Sequence, residues 1–532
     1  MKMKNIKIFT YILSVLVFTA CTDLDIEPQS ISTAEKVFAE ESSYRAFAAK
    51  LYAGFAVSGQ IGPSGDSDLT GIDEGESNYV RGLFKLQELP TDEATIAWND
   101  GTLWDFNEID WTASDRFIQA FYNRIFYQIA LVNEFLRETT EEKLNARNVS
   151  EDTRGEIEVF RAEARLIRAI AYWHGIDMFG DIPFFDETFT IGTNRPEQAT
   201  RNEVFDWLVT ELEDLESQLL PARTNEYGRL DRAALWMLQA KLFLNAEVYT
   251  GNQMWNECIV ACEKVIAAGY TLDPVYSTLF GADNHLSTEF IWAVAIDGNS
   301  TQSFGATNFI INASRGAGAP SSGSFAEWWG LRAPEDLVDM FPGNPDEFSS
   351  IDSRAIFWTN NNTRDKKITN LGDFGGGGGY LVTKYTNFDR NGVAGPAGLN
   401  QGFVDTDFPI FRLADTYLML AEAVARGGSG NVSDPLELVN ALRQRAYGDN
   451  SGNITQAELT TDFLIEERGR ELYWEAHRRT DLIRNGSFLS GTWNLKGGEV
   501  EGRAIEDDKF LLFPIPDSEI IANPNLKQTD GF

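Results

Sequence analysis

Cysteine and histidine are close to absent from this chain, with three of each among 532 residues. So few soft ligands leave little from which to build a zinc site, and three cysteines exclude a disulfide-stapled scaffold. Basic residues are also short, 45 against 80 acids, for a formal charge of −35. A surface of that sign repels phosphate, which excludes nucleic acid as a partner. Long apolar runs are missing: beyond Ile8–Ala20, itself too short, none reaches the roughly 20 residues of a spanning helix. HExxH, GxSxG and GxxxxGK[ST] do not occur, and no carboxylate pair stands out among the acids as a hydrolytic dyad. The run Gly375–Gly379 lacks the Lys-Ser/Thr of a phosphate cradle, so it is expected to be a flexible turn leading into a strand at YLVTKY. Neither a catalytic residue, a metal nor a cofactor is expected.

What is present begins at the amino end. Lys2, Lys4 and Lys7 precede the apolar Ile8–Ala20, the pattern of a cleaved signal over residues 1–20. Small Ala20 before Cys21 resembles a bacterial lipobox, with Phe18 standing where Leu is usual. Cys21 is therefore the expected lipidation site of a mature chain 21–532, held at a membrane by its acyl chains alone. Residue 22 is Thr, not the Asp that retains many lipoproteins at the inner membrane. The acids Asp23, Asp25 and Glu27 resemble the signal that carries certain lipoproteins to the outer face of the outer membrane.

Further on, helical periodicity dominates. Apolar positions 157, 160, 164, 167, 171, 174 and 178 step by three and four, predicting one buried helix face ended by Gly180 and Pro183. His174 lies on this stripe and is expected to be a core histidine. A helix is predicted over 201–219, then pairs over 231–249 with 253–268 and over 411–427 with 434–446. Cys258 and Cys262, four apart, read as buried thiols. The segment 232–270 resembles a tetratricopeptide unit, whose helix pairs stack to bury a shared face. In EERGRELYWEAHRRTDLIR, Glu466 with Arg470 and Glu475 with Arg479 predict a salt-bridged helix face. The expected class is mainly α, a frame of tetratricopeptide-like pairs in one mosaic domain interrupted by insertions at 59–115 and 270–410. Helical periodicity fails in both insertions, where Gly, Asn, Asp and Trp collect, and loops of that length usually carry function. The chain holds 13 Trp and 36 Phe. In an acidic chain bound for the cell surface, such an excess points toward sugar binding, because flat rings stack on the C–H faces of pyranoses.

RAEARLIRAIAYWHGIDMFGDIPFF, DFPIFRLADTYLMLAEAVARGG, LELVNALRQRAYG, ERGRELYWEAHRRTDLIRNGSF and the closing FPIPDSEIIANPNLKQTDGF resemble, in order, the signatures of the SusD/RagB family. The resemblance implies a non-catalytic cell-surface lipoprotein that binds a glycan and passes it to a TonB-dependent transporter of the SusC type. GIDEGESNYVRGLFKLQELPTDEATIAW is similar to the family's starch-binding founder, which implies an α-glucan or maltooligosaccharide ligand held by an arc of rings. Matching residue by residue, Trp98, Phe304 and Trp328 are the implied rings, with Trp329 as a rival to Trp328. Phe304 stands where the founder has Tyr. Asp73 and Arg81 are the implied polar contacts. Gly101 replaces an amide residue of the pattern, so Asn99 is taken as the hydroxyl contact beside Trp98. The alternatives are a different cargo, another glucan or a peptide, on the same fold and a glycoside hydrolase with an unrecognised carboxylate pair.

Overall fold

Capping side chains start several helices of the frame. The computed structural model describes residues 34–532 except 64–66, 191, 193, 317, 344–349, 360–363 and 431, so Cys21 and the signal segment lie outside the described residues. Numbering the longer helices from residue 79, they are α1 (Tyr79–Glu88), α2 (Arg116–Glu138), α3 (Glu151–Phe179) and α4 (Arg201–Leu215). They continue as α5 (Arg232–Leu244), α6 (Trp255–Ala267), α7 (Ala306–Ala313) and α8 (Leu413–Ala425). The last are α9 (Pro435–Tyr447), α10 (Thr461–Leu472) and α11 (Arg478–Arg484). Asp115 caps α2, Ser150 caps α3, a Thr200–Glu203 capping box opens α4, and Asp434 with Pro435 opens α9. Each side-chain oxygen satisfies backbone N–H groups that the first helical turn leaves without partners.

The fold is mainly α, as expected. Helix α2 packs on α3, α3 on α4, α5 on α6, and α8 on α9. Helix α6 also packs on α8, so the pair before the second insertion stacks on the pair after it. The insertion is closed at its base by an antiparallel ribbon, Phe290–Val294 on Phe408–Arg412, which lets a long excursion leave and rejoin the helical frame at one place. Four two-stranded sheets occur among the described residues. Arg45–Phe532 forms one compact unit with a continuous apolar core, and the described residues before it, 34–44, hold the helix Ala34–Val37.

Three expectations change. Helix α1 sits inside the first insertion, where helical periodicity is expected to fail; it carries a clear amphipathic period, yet all ten of its residues are buried, Arg81, Lys85, Gln87 and Glu88 included. Its polar side finds partners inside the protein instead of water: Arg81 pairs with Glu76, and the Gln87 amide donates to Asp177 at 3.0 Å. The Gly375–Gly379 run is wound about Asp373, whose Oδ1 accepts from the Gly375 and Gly376 N–H groups at 3.1 and 2.8 Å, and a Cβ at Gly377 would meet the Asn370 carbonyl at 2.2 Å. That turn is packed instead of free. The charged face expected along 466–484 is broken after Leu472, where Trp474 and Ala476 take left-handed φ of 64° and 61°. Glu466 does reach Arg470 at 3.4 Å, but Glu475 pairs with Lys384 and Arg412 at 2.7 and 2.6 Å, and Arg479 donates to the Leu511 carbonyl instead.

His174 is a core histidine: its Nδ1 lies 2.7 Å from the Tyr79 hydroxyl, and burial pushes the ring down to about 3. Cys258 and Cys262 are free buried thiols.

Candidate carbohydrate-binding face

Two short strands bring the implied rings together. Thr95–Ile96 pairs antiparallel with Leu331–Arg332, and the Ala97 N–H continues the ladder to the Gly330 carbonyl at 2.9 Å. Trp98 thereby meets the loop that carries Trp328 and Trp329. Its indole N–H donates to the Trp328 carbonyl at 3.0 Å. Gly330 is needed for this approach, since a Cβ there would stand 2.7 Å from Trp98 Cε2. On the inner side the half-buried Trp98 ring packs against Phe309 of α7, with centroids 5.9 Å apart.

Phe304 is brought in by a different device. Glu74 accepts from the Ser303 hydroxyl at 2.8 Å and the Phe304 N–H at 3.0 Å, so one carboxylate fixes two successive residues of the second insertion from the first. Asn78 caps α1 through the Arg81 N–H and accepts from the Ala306 N–H at 2.9 Å, while its own amide donates to the Ala56 carbonyl. Gly305 lies so close to Asn78 that a Cβ would stand 2.1 Å from the Asn78 Cβ. The loop around 73–78 and the loop around 303–306 are thus keyed together, and the key sets where the Phe304 ring stands. That ring is half-buried, 6.1 Å from Trp328 and 5.6 Å from Phe403.

Arg81 lies below the rings and is only 5% exposed. Its guanidinium donates to the Phe304 carbonyl at 3.0 Å, pairs with Glu76, and sits 4.3 Å over Phe309 and 5.7 Å from Trp98. Burial drives it down to about 10 against the pull of Asp73, Glu74 and Asp100. Among the described residues its Nε has no partner. Burial also raises the Glu74 carboxyl, against the hydrogen bonds from Phe304 and Ser303. Asp73 is exposed, with Oδ1 accepting from the Gly75 N–H at 3.0 Å, and Asn99 is exposed next to Trp98.

The structure therefore collects Trp98, Phe304, Trp328, Asp73, Arg81 and Asn99 on one face, with Arg81 beneath it and the others half-buried or exposed. Trp328 and Trp329 point to different neighbours: Trp328 to Phe304, Trp329 to Phe374 at 5.9 Å. Trp329 is 42% exposed and takes a left-handed φ of 57°. A non-glycine residue in that region carries strain of order 1 kcal/mol or more, which neighbouring structure has to hold. Behind the face lie Phe403, against Phe304, and Phe374, against Trp329, both buried, while Phe325, three positions before Trp328, is 62% exposed. No motif singles these three out. Their only signal is aromatic residues within Gly-rich insertions. Half-exposed rings flanked by carboxylate and amide groups can stack on sugar C–H faces while the polar groups bond hydroxyls.

Comparison with known proteins agrees in family. The chain is 31% identical to the starch-binding protein SusD of Bacteroides thetaiotaomicron, over 98% of this chain and 97% of the relative. The chain belongs to the SusD family. The SusD family model matches residues 375–532, the part that holds α8–α11 and the carboxyl-terminal segment. Among solved structures, a SusD superfamily protein from Parabacteroides distasonis superposes with a TM-score of 0.70 at 21% identity, covering 92% of this chain and 99% of that one. Surface glycan-binding protein A of B. thetaiotaomicron, in complex with laminarihexaose, gives 0.67 at 18% identity, with 92% and 99% covered. At these identities the superpositions establish a shared SusD fold.

Proposed function

We propose that this protein is a cell-surface lipoprotein that captures starch-type α-glucan oligosaccharides and passes them to a TonB-dependent transporter of the SusC type, without cutting them. The observation that carries the proposal is the ring face of Trp98, Phe304 and Trp328, keyed together from two insertions in a chain related over its whole length to a starch-binding protein. In this reading the exposed rings line the curve of the glucan, Asp73 and Asn99 meet hydroxyls at its edge, and Arg81 holds Phe304 in position from below. Cys21, after a signal over residues 1–20, is the anchor to the outer face of the outer membrane. Among the described residues no helix is long and apolar enough to cross a membrane. In this reading the acyl chains on Cys21 supply the attachment.

The test is calorimetric titration of the purified protein with maltoheptaose, beside Trp98→Ala, with reducing ends assayed in the same samples. Binding that is lost in the variant, with no new reducing ends, supports the proposal. The same fold in surface glycan-binding protein A holds laminarihexaose, so that β-glucan is the second ligand. Binding of laminarihexaose in place of maltoheptaose would overturn the starch assignment, and steady release of reducing ends would overturn the non-catalytic one.

A further inference from the structure

Away from the ring face, the closing segment of the chain helps build a second concave site. A cavity of about 410 Å³ lies between α2, the 183–196 segment and the carboxyl-terminal segment that includes Asp517–Ala522. That volume falls within the roughly 300–1,000 Å³ of small-molecule sites. Its apolar side is a run of rings: Tyr122 lies 4.6 Å from Phe126, and Phe126 lies 6.3 Å from Phe185 with planes inclined by only 26°. Phe126 and Phe185 are both half-buried, so parts of their rings remain free.

The polar side is furnished with groups the protein does not use. The Tyr122 side chain is buried, lines the cavity, and among the described residues its hydroxyl has no hydrogen-bond partner. A buried hydroxyl left without a partner is destabilising, so a group that bonds it is rewarded. Burial, and then the nearby Glu519 carboxylate, raise this phenol above its ordinary range. Burial likewise raises the Glu519 carboxyl, the only cause acting on it. Asn123, half-buried one residue beyond Tyr122, and the exposed Arg195 complete the lining with an amide and a guanidinium. Donors and acceptors of these four kinds beside a ring platform match a neutral polyhydroxylated ring. They match an anion poorly, because Glu519 would face it, and a purely apolar ligand poorly, because Tyr122 would stay unpaired.

We infer that this cavity is a second saccharide site, independent of the ring face, in which a short sugar stacks on Phe126 and Phe185 while Tyr122, Asn123, Arg195 and Glu519 bond its hydroxyls.

The test silences the first face and asks what remains. In the full chain carrying Trp98→Ala and Trp328→Ala, saturation-transfer NMR is recorded with maltotriose and laminaritriose at millimolar concentration. Transfer to at least one trisaccharide is expected to persist. Adding Phe185→Ala, or separately the milder Asn123→Ala, is expected to weaken it about tenfold, with the thermal unfolding transition kept in each variant. No transfer to either sugar in the silenced protein overturns the proposal, as does transfer that survives both added substitutions. Loss of maltoheptaose binding by the intact protein, with this residual transfer retained, would instead count against the ring-face reading alone.

Discussion

The helical end of the chain and the loop face handle charge in opposite ways. Between α8 and α11 the interior is crowded with ions. Arg354, fully buried, pairs with Asp352, Glu467 and Glu471 at 2.7, 2.7 and 3.2 Å. Arg412 pairs with Glu289, Glu471 and Glu475 at 2.8, 2.7 and 2.6 Å, and Arg468 joins Asp415 to Asp481. Each guanidinium spans carboxylates from different segments, so the lattice sews the stacked pairs together and its members compensate one another. The ring face instead exposes Asp73 and Asn99, and keeps only a small buried set, Glu74, Asn78 and Arg81, beneath the rings to key its loops. The first region uses its polar groups for internal geometry alone; the second leaves some of them for a visitor.

That contrast predicts that substitutions in the two regions act on different observables. The largest effect belongs to the lattice. Arg412→Ala strips a cation from three buried carboxylates, and breaking a buried pair one-sidedly costs about 3–5 kcal/mol. Denaturant unfolding should show that loss, while protein still folded binds glycan at nearly unchanged affinity. An effect below about 1 kcal/mol would mean that the lattice is not what holds these helices.

Acid should reach the lattice next. Burial alone would raise the Glu467 carboxyl, but Arg354, Arg470 and Arg443 outweigh it and hold it at about 2. A carboxyl depressed in the fold contributes stability present above its unfolded value, near 4.5, and lost as pH falls toward 2. The unfolding temperature is expected to drop across that window, with a shallower slope in Glu467→Gln. Equal slopes would assign the acid loss to other groups.

On the face, Trp328→Ala and Trp329→Ala sharpen the comparison. Each should change stability by less than about 1 kcal/mol, while whichever ring meets the ligand should lose about 2 kcal/mol of binding, as aromatic anchors do. Paired calorimetry on the two variants decides between them. Loss in neither would move the glycan off this face.

The frame was legible because its physics is local. Stripes such as the one from Ile157 to Met178 announce helices in the residues that form them. The lattice was not legible, because its partners stand far apart in the chain: Arg478 reaches Asp92 at 2.7 Å across 386 positions, whereas spacing rules see only neighbours three or four apart. Helix α1 escaped although its period is clear, because its ten residues are set among the Gly, Asn, Asp and Trp of the first insertion. At the candidate site Trp98, Phe304 and Trp328 came from family resemblance, not from any pattern of their own, and Phe325 and Phe403 came only from the fold. The keying of Glu74 to Ser303 and Phe304 likewise joins residues about 230 positions apart.

The smallest expected effect is also the most discriminating. Asn99 is exposed beside Trp98. Removing an exposed side chain changes stability by no more than about 0.5 kcal/mol, so Asn99→Ala should unfold like the unsubstituted protein. A single neutral hydrogen bond to a sugar hydroxyl contributes about 0.5–1.5 kcal/mol, so maltoheptaose binding should weaken by about three- to tenfold. Deoxygenated maltosaccharides separate a direct contact from a general loosening of the face. If Asn99 bonds one hydroxyl, the ligand lacking that hydroxyl should bind the variant and the unsubstituted protein alike. If every ligand in the series loses the same factor, Asn99 acts through Trp98, and both regions then use their polar groups for geometry alone.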